Sequence, residues 1–145
     1  MTNSDLKALH VVVIDDEDFM RNIVGRMLHD IGVGEVHLAG DGVEAIGLIE
    51  SLHRSQIPVD LVICDLEMPN VDGFAFVRLL RGLSNADLAK VPVLILTGHT
   101  LQENVEMAVR LGIHGFLVKP VSRDLLHSRL IKALESPPID PARLG

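Results

Sequence analysis

The strongest constraint on this chain is a regular alternation. Five short, apolar, β-branched-rich runs are separated by stretches whose apolar residues recur three and four apart. The runs fall at residues 10–14, 35–39, 61–64, 93–96 and 115–118. They are near-continuously apolar, as strands are when both faces of a parallel sheet are covered. Between them run helical stripes: Phe19, Ile23, Met27 and Ile31; Ile46, Ile49 and Leu52; Phe76, Leu80 and Leu83; a weaker Val105, Ala108 and Val109; and Leu125, Leu126, Leu130 and Leu134. Each stripe is expected to face the core. Strict strand–helix alternation predicts a parallel α/β sheet with right-handed crossovers.

Punctuation agrees. Thr100 with Glu103, and Asp41 with Glu44, suit helix N-termini. Gly32 and Gly112 stand where helices should end. After Glu135, Ser136-Pro137-Pro138-Ile139-Asp140-Pro141 reads as a tail or linker.

At 145 residues the chain has the size of one domain. Cys64 is the only cysteine, which rules out a disulfide framework and reads as a small buried residue. A net charge of -7, with no Trp, no Tyr and no basic cluster, argues against nucleic-acid binding. The apolar runs are too short to cross a bilayer, and residues 1–7 lack the apolar stretch of a signal peptide, so a cytoplasmic location is expected.

In doubly wound sheets, ligands bind beyond the carboxyl ends of the strands. Here the first run ends in Asp15-Asp16, the third in Asp65, the fourth in Thr97 and the fifth in Lys119-Pro120. Any one acid there has a second reading as a helix cap, Asp16 and Asp72 among them. The joint set is harder to dismiss. Three converging carboxylates repel one another unless a cation joins them. A Mg²⁺ ion with Lys119 would bring the set to neutrality and ready it for an anionic phosphoryl group. A carboxylate can be the nucleophile in such chemistry, and Thr97 offers a hydroxyl donor.

These pieces resemble the receiver domains of response regulators, chemotaxis regulators among them, over residues 8–135. The matching segments are Val11-Val12-Val13-Ile14-Asp15-Asp16-Glu17, Asp65-Leu66-Glu67-Met68-Pro69-Asn70-Val71-Asp72-Gly73, Leu96-Thr97-Gly98 and Phe116-Leu117-Val118-Lys119-Pro120. The resemblance implies a flavodoxin-like, doubly wound, five-stranded parallel sheet of order 2-1-3-4-5 with five helices. Residues 1–7 would be an N-terminal extension and 136–145 a tail or linker. It implies Asp65 as phosphoacceptor, and Mg²⁺ (Mn²⁺ substituting) on Asp16, Asp65 and the Glu67 carbonyl, with Asp15 acting through water. Thr97 and Lys119 would bind the phosphoryl group, Phe116 would be the switch aromatic, and the Lys119–Pro120 bond would be cis. Glu67 and His99 occupy positions that tune phosphoryl lifetime, and a Glu67–His99 pair is expected to shield the phosphoryl group. The implied partners are a sensor histidine kinase or histidine phosphotransfer protein and a downstream protein, with the domain a monomer or a phosphorylation-linked dimer. Neither nucleic acid nor membrane is expected.

Other readings remain at this stage. An aspartyl phosphatase would want its two acids spaced two apart at the first strand, whereas Asp15 and Asp16 are adjacent. A phosphorylation-independent binding module would have lost Asp65 or Lys119, and both are present. A receiver cut from a larger regulator fits the proline-bearing tail. No Walker loop or nucleophile elbow occurs, so the chain is not expected to be an enzyme. The seven histidines show no metal spacing.

Overall fold

The apolar runs at 11–14, 61–65 and 93–97 are buried on both faces, whereas those at 35–39 and 115–118 are partly exposed. The computed structural model describes residues 2–68, 71–98 and 102–144. Its strands are β1 (His10–Ile14), β2 (Glu35–Ala39), β3 (Leu61–Asp65), β4 (Val93–Thr97) and β5 (Gly115–Val118), all parallel, in the order β2-β1-β3-β4-β5. Val12 and Ile14 point to one face and Val11 and Val13 to the other, all four fully buried. That two-sided burial explains why the run never alternates with polar residues.

One face is covered by α3 (Gly42–Arg54), α4 (Gly73–Arg81), the short α5 (Ala86–Ala89) and α6 (Gln102–Arg110). The other is covered by α1 (Asn3–Lys7), α2 (Asp18–Ile31) and α7 (Arg123–Glu135). Five helices were expected; the described residues contain seven. The two additions, α1 and α5, have five and four residues, too few to show a helical period. Their caps form them instead: Thr2 and Asp5 make a capping box, and the Asn85 side chain accepts from the amides of Asp87 and Leu88. Leu6 of α1 is buried, and the Gly34 amide donates to the Leu6 carbonyl at 3.2 Å. A Cβ on Gly34 would lie 1.9 Å from the Lys7 carbonyl oxygen, so only glycine allows this approach.

The expected stripe of α2 holds in part: Met27 and Ile31 pack against the core. Phe19 is 76% exposed, while Val24, Gly25 and Leu28 are buried. The helix lays Gly25 against β2, where Leu38 and Val36 come within 3.5 and 3.7 Å of an ideal Cβ position. A glycine scores as neutral in a hydrophobic pattern, yet here it is buried against β2. Gly32 ends α2 in the left-handed conformation, as its position suggested. Thr100 lies outside the described residues. After α7 the chain turns back: Ile139 packs against the core, its amide donating to Ile113 at 3.0 Å, and Pro141–Leu144 forms a 3-10 turn beside α6.

Candidate functional site

Parallel strands bring their carboxyl ends to one edge, and Asp15, Asp65 and Thr97 meet there, at most 1% exposed. Asp16 stands beside them, exposed. Carboxylate oxygens of Asp15, Asp16 and Asp65 lie within 4.8 Å of one another. Lys119, carried in by β5, places its Nζ 3.4 Å from Asp65 Oδ1 and 4.0 Å from Asp15 Oδ2. The Lys119–Pro120 bond is cis.

Local bonds fix these groups. Glu17, not Asp16, is the N-cap of α2, which leaves the Asp16 carboxylate uncommitted to capping. The Glu17 amide donates to Asp15 Oδ1 at 2.9 Å. Arg21 donates to the Asp15 carbonyl at 2.8 Å and pairs with Asp18, holding the turn that carries Asp16. Asp72 does cap its helix, accepting from the Ala75 amide at 2.9 Å. A Cβ on Gly73 would meet the Asp65 carbonyl oxygen at 2.8 Å, so glycine lets α4 start close under the acid.

Burial pushes the Asp65 carboxyl up to about 6; the nearby Asp15 charge adds to this and Lys119 opposes it. Burial also raises Asp15, against the Glu17 amide and Lys119. Asp15 Oδ2 is buried and accepts no hydrogen bond. Lys119 Nζ stands 4.0 Å from it, too far for a hydrogen bond, so one ammonium is shared by two buried carboxylates and a further cation would complete their neutralisation. Three hard oxygen donors within 4.8 Å, one of them orphaned, fit a small divalent ion such as Mg²⁺.

Thr97 Oγ1 donates to Glu67 Oε1 at 3.4 Å, and the Glu67 amide donates to Asp65 Oδ1 at 3.3 Å. His99, the expected partner of Glu67, lies outside the described residues. Among the described residues, an ideal Cβ on Gly98 would meet nothing within 4 Å. Phe116 is half-buried against the core. Cys64 is fully buried, its thiol pushed well up by burial, as a core residue's would be. Sequence reasoning missed Arg21 and the Glu67–Thr97 contact. The signal for Arg21 was a cation one turn into the helix after Asp15-Asp16. It also missed His10 and His37, stacked on adjacent strands with ring nitrogens 3.1 Å apart at the opposite edge of the sheet.

The family model described as the response regulator receiver domain matches residues 11–131. The chain belongs to that family. This receiver domain is 29% identical over 129 residues to the chemotaxis protein CheY-3 of Vibrio cholerae, covering 89% of this chain and 94% of the relative. Its fold is similar to that of V. cholerae CheY4, with a TM-score of 0.76 and 32% identity over 87% of this chain and 98% of the other. It is also similar to the receiver domain of a Pseudomonas aeruginosa sensor histidine kinase, whose structure has magnesium coordinated in the active site cleft. There the TM-score is 0.75 and the identity 25%, over 88% and 98% of the two chains. Two rice proteins, each described as probable histidine kinase 2, are 27% identical over 127 residues; the match covers 81% of this chain but 12% of theirs. No described helix is long and apolar enough to cross a membrane.

Proposed function

We propose that this receiver domain accepts a phosphoryl group on Asp65 from a phosphohistidine of a sensor histidine kinase or histidine phosphotransfer protein, and so switches a surface that binds a downstream protein. The observation that carries this reading is the buried Asp65 at the end of the central strand, with Asp15, Asp16 and Lys119 converging on it. Asp65 Oδ attacks phosphorus in line; the bond to the donor imidazole nitrogen breaks, and that nitrogen keeps the electron pair. Lys119 then exchanges Asp65 for a phosphoryl oxygen, and Thr97 exchanges Glu67 for another. Asp16, Asp65 and the Glu67 carbonyl would hold Mg²⁺ or Mn²⁺, with Asp15 acting through water; the ion would offset charge on the phosphoryl oxygens. Gly98, which has no side chain, would leave room for Phe116 to turn as Thr97 moves inward. Lacking a tyrosine hydroxyl, Phe116 would act by shape alone.

The receiver unit spans residues 8–135, flanked by 1–7 and by 136–145. It acts in the cytoplasm, on its own or as the receiver part of a larger regulator, and as a monomer or a phosphorylation-linked dimer. Acetyl phosphate with Mg²⁺ should add one phosphoryl mass to the protein and none to Asp65→Asn. Equal labelling of the variant would refute the assignment.

A further inference from the structure

The face formed by β5 and α7 is covered by the chain's own last residues. β5 is an edge strand, and such an edge invites pairing unless it is covered. The chain after α7 comes back to it: the Ile139 amide donates to Ile113, two residues before β5, and the Ile139 side chain packs on the core. The 3-10 turn Pro141–Leu144 then rests beside α6. Pro137, Pro138 and Pro141 restrict the free segment, so less entropy is lost when it docks.

The fit is incomplete. A cavity of about 640 Å³ is lined jointly by Phe116, Arg129 and Lys132 of the body and by Pro138, Ile139 and Arg143 of the segment. Asp140 uses its carboxylate within the segment, accepting from the Ala142 amide at 2.9 Å, and so does not anchor it to the body. Packing of this kind favours a segment that is seated but easily displaced. Phe116 forms part of the seat, so turning its ring changes the surface on which the segment rests.

We infer that residues 136–143 are an intramolecular strap. It occupies the β5–α7 surface in the unphosphorylated state and is released when Asp65 is phosphorylated. This rests on the phosphoacceptor reading above. The strap competes with any partner for that face, and phosphorylation tilts the competition.

Amide hydrogen exchange on the full chain, read by NMR before and after adding beryllofluoride and Mg²⁺, tests it. The expected result is movement of the Asp65, Thr97 and Lys119 resonances, with exchange at the Ile139 amide at least about fivefold faster, the low end of allosteric couplings. Site resonances that move while Ile139 protection stays constant would overturn the strap and leave the phosphoacceptor reading intact. No response at either place would overturn both. Ile139→Asp should open the strap without ligand and, by reciprocity, tighten beryllofluoride binding in Mg²⁺ about fivefold. If β1 and β3 resonances stay native and beryllofluoride affinity is unchanged, strap and site are not coupled and the inference fails.

Discussion

Thr97 Oγ1 donates to Glu67 Oε1 across 3.4 Å, joining the end of β4 to the loop after β3 directly above Asp65. A full hydroxyl–carboxylate hydrogen bond is shorter, about 2.5–3.0 Å. The contact therefore gives way readily to a better acceptor, and a phosphoryl oxygen is one. Glu67 thus stands in for the group the site is proposed to bind, while adding a negative charge that opposes it.

Two effects are expected from Glu67→Ala. Phosphorylation by acetyl phosphate should be about threefold faster, because one like charge near the incoming dianion is gone. The phosphorylated half-life should shorten, because a side chain over the cleft no longer hinders water. Stopped-flow and acid-quench kinetics read the two. Slower hydrolysis in the variant would make Glu67 a helper of water attack. His99→Ala and the double variant, run from about pH 6 to 8, then show whether the two side chains act together; a double variant little worse than either single indicates that they do.

Asp65→Asn should stabilise the metal-free protein. The Asp65 carboxyl is raised to about 6 by burial and by Asp15, so the folded state holds its proton more tightly than the unfolded chain does. Its contribution is fully present below about pH 4 and is lost as pH rises through about 6. In EDTA the variant should match the wild type near pH 4 and exceed it by about 2 kcal/mol near pH 7. Urea unfolding at the two pH values measures this, and a variant less stable at neutral pH would contradict the charge-crowding account.

Mg²⁺ should remove that penalty. The orphaned Asp15 Oδ2 and the Asp65 charge both gain a counter-ion, so millimolar Mg²⁺ should raise the melting temperature of the wild type. Asp16→Ala should weaken Mg²⁺ binding about tenfold or more, since removing a direct ligand costs at least what removing its supports does. Thermal melts titrated with Mg²⁺ check this. Unaltered affinity would exclude Asp16 as a ligand.

A second pH dependence arises far from the site. Burial, aided by Arg81, pushes His114 down to about 4, and its Nδ1 accepts from the Val93 amide at 3.3 Å, which requires the neutral ring. The unfolded chain takes up this proton first as pH falls, so stability drops between about 6.5 and 4, by about 3 kcal/mol. His114→Gln keeps an acceptor without titrating and should flatten that segment of the stability–pH curve. Arg81 holds the same corner, donating to the carbonyls of Ala89, Val91 and Gly112 at 2.7–2.9 Å. Arg81→Met leaves those acceptors without it and should cost about 3 kcal/mol.

What was legible in the sequence was what depends on neighbours a few residues away. A run buried on both faces must be apolar throughout, so β1, β3 and β4 show directly, while the partly exposed β2 and β5 show by their place in the alternation. Parallel strands must end at one edge, so Asp15, Asp16, Asp65, Thr97 and Lys119 declare themselves by position, because an apolar strand has no structural need to end in acid. The tertiary structure decided whatever depends on how elements meet. Which side of α2 is buried turned on Gly25 lying against β2, and that contact leaves Phe19 in solvent although the pattern put it inside. Thr97 reaches Glu67 because β3 and β4 end side by side, 30 residues apart in the chain. Arg81 serves three carbonyls from two loops that no local pattern connects to it. The proline-bearing stretch after α7 carries no period and reads as a tail, yet it folds back beside β5, because Ile139 finds an apolar seat and the Ile113 carbonyl just before that strand. Periodicity reports the environment a residue needs; only the packed fold reports which partner supplies it.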